Sequence, residues 1–370
     1  MMNESEPRRG GAHGVAALLA LAATLLAGCA SIGPESVNRD RLDYTATVAE
    51  SWQRQMLLNL VKLRYGDTPM FLDVGQIVSG YQVQSTFSVA ATNNNLQTPP
   101  GGISSSFGVG AAGQFIDRPT ITYAPLSGEQ FARQMLTPIP PAQILSLVQG
   151  GTPVDIAFRL TVQEINGIRN QPSGDVSAQA ADSEFYQLLA LLRRAQAAGG
   201  MTLRMQHQEK GTTTLIVLRQ RDTQAPDPEA LSVRRMLGLD PNASAFEVVY
   251  GSGASNDKQI AILTRSILQV LASVAQTVQV PEPHVAERRA GPNLPHEKGP
   301  DGPVRPLIQI FSSKERPKDA AVAVPYRSYW FWIDDRDMPS KRIFSSLLFA
   351  FAMADTGNKS PPPILTIPAQ

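Results

Sequence analysis

The chain has a single cysteine, Cys29, in 370 residues. It therefore forms no intrachain disulfide and no cysteine-based zinc or iron–sulfur centre. Histidine is nearly as scarce, with four in all, and neither an HExxH nor a GxSxG motif occurs. Excess charge of either sign is missing too. Lys+Arg total 33 against 32 Asp+Glu, which argues against a dedicated nucleic-acid binder, normally marked by a basic excess or stripe. With 42% hydrophobic residues the chain is also no disordered acidic solvator. No stretch after the N-terminus is long and apolar enough for a transmembrane helix. No internal repeat is visible.

What is present starts with an address. Arg8 and Arg9 precede an uncharged run of Ala, Leu and Thr from Ala16 to Ala27, which ends in Leu26-Ala27-Gly28-Cys29. The run is too short to span a bilayer and matches the core of an export signal. Small residues before the cysteine resemble a bacterial lipobox. That resemblance implies a signal peptide over 1–28, cleavage between Gly28 and Cys29, and lipidation of Cys29. Several acyl chains on one residue anchor stably where one does not. Ala30 and Ser31 follow in place of Asp, and by resemblance to known sorting behaviour this favours the outer membrane.

The fold reads as α+β, with five segments after the signal. Residues 29–43 are expected to hold the lipidated cysteine and a polar tether. Segment 44–125 combines a helix with antiparallel strands. Val48, Trp52, Met56, Leu60 and Leu63 form one apolar stripe, so a helix is expected from Tyr44 to Tyr65, closed by Gly66. The period then changes from 3.6 to 2. Tyr81, Val83, Phe87, Val89 and Ala91 alternate with Gln82, Gln84, Thr86 and Ser88. After a turn-rich stretch the alternation resumes at Ile103, Phe107, Val109, Ala111 and Phe115. Residues 79–124 thus read as two long strands and a short third one.

Segment 126–280 is a mixed α+β region. A capping box at Ser127–Gln130 is expected to open a helix, Pro140-Pro141 another, and Thr152–Asp155 a third that reaches Ile168. A helix over 184–198, a hairpin around Lys210-Gly211, a helix over 229–237, strands over 246–250 and 260–263, and a helix over 266–277 follow. Segment 281–304, with six prolines, reads as a linker or long surface loop. Segment 305–370 reads as a C-terminal strand–strand–helix unit packing on the core, with strands over 307–311, 321–324 and 329–333 and a helix from Asp337 to Ala354. Ile364–Ile367 is a candidate closing strand.

Few motifs carry chemistry. Gly108-Val109-Gly110-Ala111-Ala112-Gly113 matches the dinucleotide fingerprint in letters only. The chemistry needs a helix N-terminus, and strand alternation continues through it instead. Asp335 and Asp337 could share a hard cation, but Asp337 before Met338-Pro339 is better read as a helix cap. Trp330 and Trp332 lie on the opposite strand face from Tyr329, Phe331 and Ile333. They offer an aromatic platform for sugars or peptides, or else belong to a strand covered on both sides. No catalytic residue, metal or cofactor is expected.

Three blocks carry a wider resemblance. They are Gln55–Asp67 (QMLLNLVKLRYGD), Tyr123–Phe131 (YAPLSGEQF) and Phe331–Asp337 (FWIDDRD). Together they resemble a proteobacterial outer-membrane lipoprotein family without an assigned activity. The resemblance implies a shared fold and address and no transferable catalytic residue.

The expected function is that of a lipid-anchored, non-enzymatic periplasmic scaffold or assembly factor of the Gram-negative cell envelope. Its partners would be the membrane through Cys29, envelope proteins and its own copies, with no nucleic acid. The alternative is an oligomeric pore or secretion component contributing the 79–124 hairpin to a barrel. A second alternative is a glycan- or peptidoglycan-binding module using Trp330 and Trp332.

Overall fold

A computed structural model describes residues 34–78, 81–93, 105–117, 120–172, 180–208, 211–218 and 228–354. Cys29, the signal peptide and the 364–367 segment lie outside the described residues. The chain divides into an N-terminal unit ending at Trp52 and a second unit from Gln53 onward.

Helix α1 runs Pro34–Arg64. It begins ten residues before the expected start, so residues 34–43 are helical. Proline is favoured in the first turn of a helix, where its missing N–H costs nothing. The polar residues after it carry adequate helix propensity without an apolar stripe to betray them. The C-terminus of α1 is a Schellman motif. Gly66 has φ +75°, Gly66 N–H reaches Leu63 O at 3.1 Å, and Asp67 N–H reaches Lys62 O at 2.9 Å.

Four strands follow: β1 Phe71–Val78, β2 Tyr81–Asn93, β3 Ser105–Asp117 and β4 Thr120–Leu126. β1 pairs with β4 and β2 with β3, both antiparallel. β1 was not expected from the sequence. An irregularity between Val74 and Gln76 breaks its alternation.

The central region holds α2 Glu129–Leu136, α3 Pro141–Gln149, α4 Val154–Thr161, β5 Val162–Ile165, β6 Ile168–Arg169, α5 Ser183–Ala197, β7 Met201–Gln208, β8 Gly211–Leu218, α6 Pro228–Leu237, β9 Ala245–Tyr250, β10 Gln259–Thr264 and α7 Ile267–Ala275. Its six strands form one sheet in the order β6-β5-β10-β9-β8-β7. The β9–β10 pair is parallel and the others antiparallel.

Two expectations fail locally here. The expected capping box is absent: Gly128 caps α2 with φ +94° and no side-chain bond. The helix expected to reach Ile168 stops at Thr161, because Val162–Ile165 pairs with β10 and Asn166-Gly167, both at positive φ, turn it back into β6. α7, by contrast, has a true capping box between Ser266 and Gln269.

The last region contains α8 Glu282–Ala286, the small hairpin β11 Lys298–Gly299 and β12 Gly302–Pro303, then β13 Phe311–Ser313, β14 Ala320–Tyr326, β15 Tyr329–Asp334 and α9 Met338–Ala354. The 281–304 segment is therefore not a free linker. Val280, Pro281 and His284 are buried, and Asn293 bonds both the N–H and the carbonyl of Val280, at 2.8 and 3.0 Å.

Two cores result. One lies between the six-stranded sheet and α3 to α6, around Phe158, Phe185, Leu188, Ile216, Phe246 and Ile262. The other joins the C-terminal part of α1 (Met56, Leu57, Leu60, Val61) to α7, to β14 and β15 (Val324, Phe331, Ile333) and to α9 (Phe344, Leu347, Phe351). The second core draws on all three segments that the sequence reading kept apart.

Candidate functional site

The candidate site is the paired ribbon β2–β3 and the root that holds it. Its thirteen residue pairs run without slip from Tyr81 opposite Asp117 to Asn93 opposite Ser105. The β1–β4 ladder keeps the same register. Val78 stands opposite Thr120, and three residues further along each strand Tyr81 stands opposite Asp117.

Register partners share a face. Val83 with Phe115, Phe87 with Ala111, Val89 with Val109 and Ala91 with Phe107 make one face mainly apolar, interrupted by Ser85 with Gly113 and bounded by Tyr81 with Asp117 and Asn93 with Ser105. Gln84 with Gln114, Thr86 with Ala112, Ser88 with Gly110 and Thr92 with Ser106 make the other mainly polar, with Gln82 opposite Ile116 and Ala90 opposite Gly108. Thr86 and Ser88, both on the polar face, are exposed. Between Asp73 and Asp117 the sequence contains no charged residue at all. β2 and β3 form a sheet of two strands. Among the described residues they pack extensively on each other. The GxGxxG match lies wholly within β3, so no helix N-terminus stands there to receive a pyrophosphate.

The root is built differently, with one edge sealed by α1. Asn59 donates to Met70 O at 2.7 Å and accepts from Met70 N–H at 3.0 Å. Gln55 does the same with Leu72, both at 3.2 Å. Four helical residues rise about 6 Å and two strand residues about 6.6 Å. Two amides at i and i+4 therefore meet successive outward-facing backbone groups of a strand. Phe71 anchors the same root in the second core, 4.4 Å from the Phe351 ring and 6.3 Å from Phe131 between centroids. On the free face of the root, Tyr123 is 57% and Ile121 40% exposed. Ile121 and its partner Ile77 continue the apolar face of the ribbon.

The end of α1 spreads polar contacts across the second core. Arg64, 7% exposed, donates to Val278 O at 3.3 Å, Gly291 O at 2.8 Å and Pro292 O at 2.7 Å. Burial lowers its pKa from the ordinary arginine value. The Tyr65 hydroxyl is 2.6 Å from His284 Nδ1, and burial pushes Tyr65 up to about 12. Asp67 accepts from Tyr326 Oη and, at 2.8 Å, from Arg327. Arg327 and Ser328 form the β14–β15 turn with φ +46° and +69°, a left-handed pair of the kind tight hairpins require. The segments Gln55–Asp67, Tyr123–Phe131 and Phe331–Asp337 thus contribute to one core. Tyr65 packs edge-on against Phe331 at 6.0 Å, and Phe131 lies beside Phe71.

Burial lowers the pKa of His284, with the Arg289 and Arg327 charges adding to the effect and Glu287 opposing it. A base held neutral in the fold contributes stability that is complete above its unfolded pKa of 6.5 and is lost as pH falls below it. Acidification from about pH 7 to pH 5 is expected to lower Tm. The drop should shrink in His284→Gln, and an equal drop in both proteins would assign the acid loss elsewhere.

The other candidate residues are absorbed by the fold. Asp337 caps α9 through Ser340 N–H at 3.1 Å, accepts from Ser340 Oγ at 2.6 Å, and pairs with Arg305. Burial would raise its pKa, but these hydrogen bonds outweigh it and the pKa is lowered. Asp335 pairs with Lys341. Among the described residues no group of three His, Cys, Asp or Glu could hold a metal ion.

Trp330 and Trp332 are half-buried on β15, the central strand of the β13-β15-β14 sheet. The sheet is not covered equally on both sides. Phe331 and Ile333 are fully buried in the core, while Trp332 lies against Phe311 at 5.1 Å and Trp330 under Arg316 at 5.4 Å. A cavity beside the end of α7, about 290 Å³ in volume, is lined by residues that include Arg159, Tyr186, Gln276, Asn293 and Glu297. None of these was singled out from sequence, because they converge from four separate segments.

Comparison of the chain with family models, with curated proteins and with solved structures finds no match.

Proposed function

We propose that this chain is a lipid-anchored, non-enzymatic subunit of an oligomeric outer-membrane pore, to which each copy contributes the β2–β3 ribbon. The observation that carries the reading is the ribbon itself: a two-faced strand pair with no third strand among the described residues, whose one charged residue, Asp117, stands at its root. A lone two-stranded hairpin is marginal in water. Soluble proteins guard such edges with charges or cover, and from Val74 to Ile116 the sequence holds no charge. In a bilayer every edge must be paired. Neighbouring copies supply that pairing when a ring of ribbons closes into a barrel.

Dimensions agree with this reading. Thirteen residues extend about 43 Å, and at a tilt near 40° they span roughly 33 Å, enough for an outer-membrane hydrocarbon layer of about 25–30 Å. The apolar face would meet lipid and the polar face the lumen. Tyr81 and Tyr123 stand at the root, where aromatic residues favour a membrane–water interface. Lipid on Cys29 would hold the soluble part at the periplasmic side of the same membrane.

The test is native mass in detergent. The lipidated protein is expected as a multi-subunit complex. A variant in which residues 79–119 are replaced by a short Gly-rich turn should be a folded monomer. Val78 and Thr120 are register partners, so a tight turn can join them without disturbing the root. Monomers in both cases would refute the pore and leave an anchored interaction module, in which the half-buried Trp330 and Trp332 would be the next surface to probe with glycans.

A further inference from the structure

We propose that the cavity beside the end of α7 is a binding site for a free, neutral mono- or disaccharide. It lies at the seam of the two cores: Tyr186 in its wall belongs to the first, Val274 and Val278 to the second. Its volume, about 290 Å³, is at the small end of the range for ligand pockets and holds roughly one or two sugar units. The site is independent of the ribbon and of the pore reading.

The lining sets the charge of the ligand. Arg159 from α4 and Glu297 from the segment before β11 bring one charge of each sign. The guanidinium is tied in place. It donates to Arg305 O at 2.8 Å and lies 5.8 Å over the Tyr186 ring. Burial lowers the pKa of Arg159 and raises that of Glu297, and each charge opposes the other's shift. An ionic ligand would therefore meet, beside its counterion, a half-buried charge of its own sign. The other ionisable lining residue, His296, is exposed.

Amides set the chemistry. Gln171 and Gln276 are half-buried, and their carboxamides make no hydrogen bond among the described residues. Each can donate and accept, and a buried polar group gains most from a partner that satisfies it. Planar carboxamide, carboxylate and guanidinium groups each present two polar atoms side by side, a spacing that adjacent sugar hydroxyls match. Leu294, Pro306 and Leu307 add apolar wall for the C–H face of a sugar ring.

The experiment is a saturation-transfer NMR titration of the full-length protein in detergent. It is run at pH 8, where histidine is ordinarily neutral. The probes are glucose, galactose, N-acetylglucosamine, maltose, maltohexaose and gluconate. At least one of the four short neutral sugars is expected to bind, maltohexaose no more tightly than maltose, and gluconate not at all. Gln276→Leu and, separately, Gln171→Leu remove no protein side-chain hydrogen bond. Each should weaken binding about tenfold with Tm unchanged. The proposal is overturned if no neutral sugar binds, or if gluconate binds as tightly as glucose. It is overturned as well by full affinity in both variants, which would put the sugar elsewhere, the Trp330 and Trp332 face included.

Discussion

Lysine at Phe87 is expected to abolish membrane insertion of the ribbon, while lysine at the adjacent Ser88 leaves it intact. Phe87 is the central residue of β2 and stands opposite Ala111 on the apolar face. Ser88, opposite Gly110, is on the polar face and exposed. A lysine on the lipid side of a barrel at the bilayer midplane costs about 2–4 kcal/mol, and one in the lumen costs little. In a ring of identical copies the penalty recurs in every subunit, so the contrast grows with stoichiometry. Protection of the 79–119 segment from added protease in proteoliposomes measures insertion directly. Equal behaviour of Phe87→Lys and Ser88→Lys would mean that the two faces do not see different surroundings, and the barrel would be ruled out.

The second large effect is expected far from the ribbon. Arg265→Met should destabilise the second unit by roughly 3–5 kcal/mol, a substantial share of the 5–15 kcal/mol that holds a typical domain. Arg265 is 1% exposed. Its guanidinium donates to Arg159 O at 2.9 Å, Leu160 O at 3.2 Å, Ser273 Oγ at 3.1 Å and Gln171 O. One side chain thus satisfies the C-terminal carbonyls of α4, a hydroxyl on α7 and the segment after β6. Burial lowers its pKa to about 10, so it remains charged at neutral pH, its charge spread over carbonyl dipoles. Methionine fills much of the volume but leaves those acceptors without donors, and each buried orphan costs about 1–3 kcal/mol. Urea unfolding monitored by circular dichroism gives the comparison. A loss below about 1 kcal/mol would show that water or a relaxed backbone replaces the guanidinium.

The sequence made the ribbon legible because a strand with two different faces writes its period into local composition. Alternation from Tyr81 to Ala91 and from Ile103 to Phe115 needed no knowledge of partners. β1 escaped because its irregularity at Val74/Gln76 spoils the period, and β5 escaped because Val162–Ile165 is equally good apolar spacing for one more helical turn. Its fate as a strand is decided by β10, nearly a hundred residues away.

The 281–304 segment misled for a related reason. Its prolines describe a chain that cannot form regular structure, and they are silent about what holds it. The fastenings are Arg64 to Gly291 and Pro292 and Asn293 to Val280, none of which has a local signature. The Asp337 cap was legible from Asp-Met-Pro alone. The half-exposed face of Trp330 and Trp332 was not, since alternation assigns residues to faces without saying which face is covered.

The ribbon's root has one more consequence, in time rather than space. Phe71 is locked by Phe351 and Tyr65 by His284 and Phe331, all of which emerge from synthesis long after the ribbon. A chain produced N-terminus first must therefore carry a neutral, aggregation-prone strand pair, with no gatekeeper charge between Asp73 and Asp117, until its last helix arrives to secure the base. A nascent chain truncated before α9 would present the ribbon unsecured, and holding such intermediates apart is the task of a chaperone rather than of this fold.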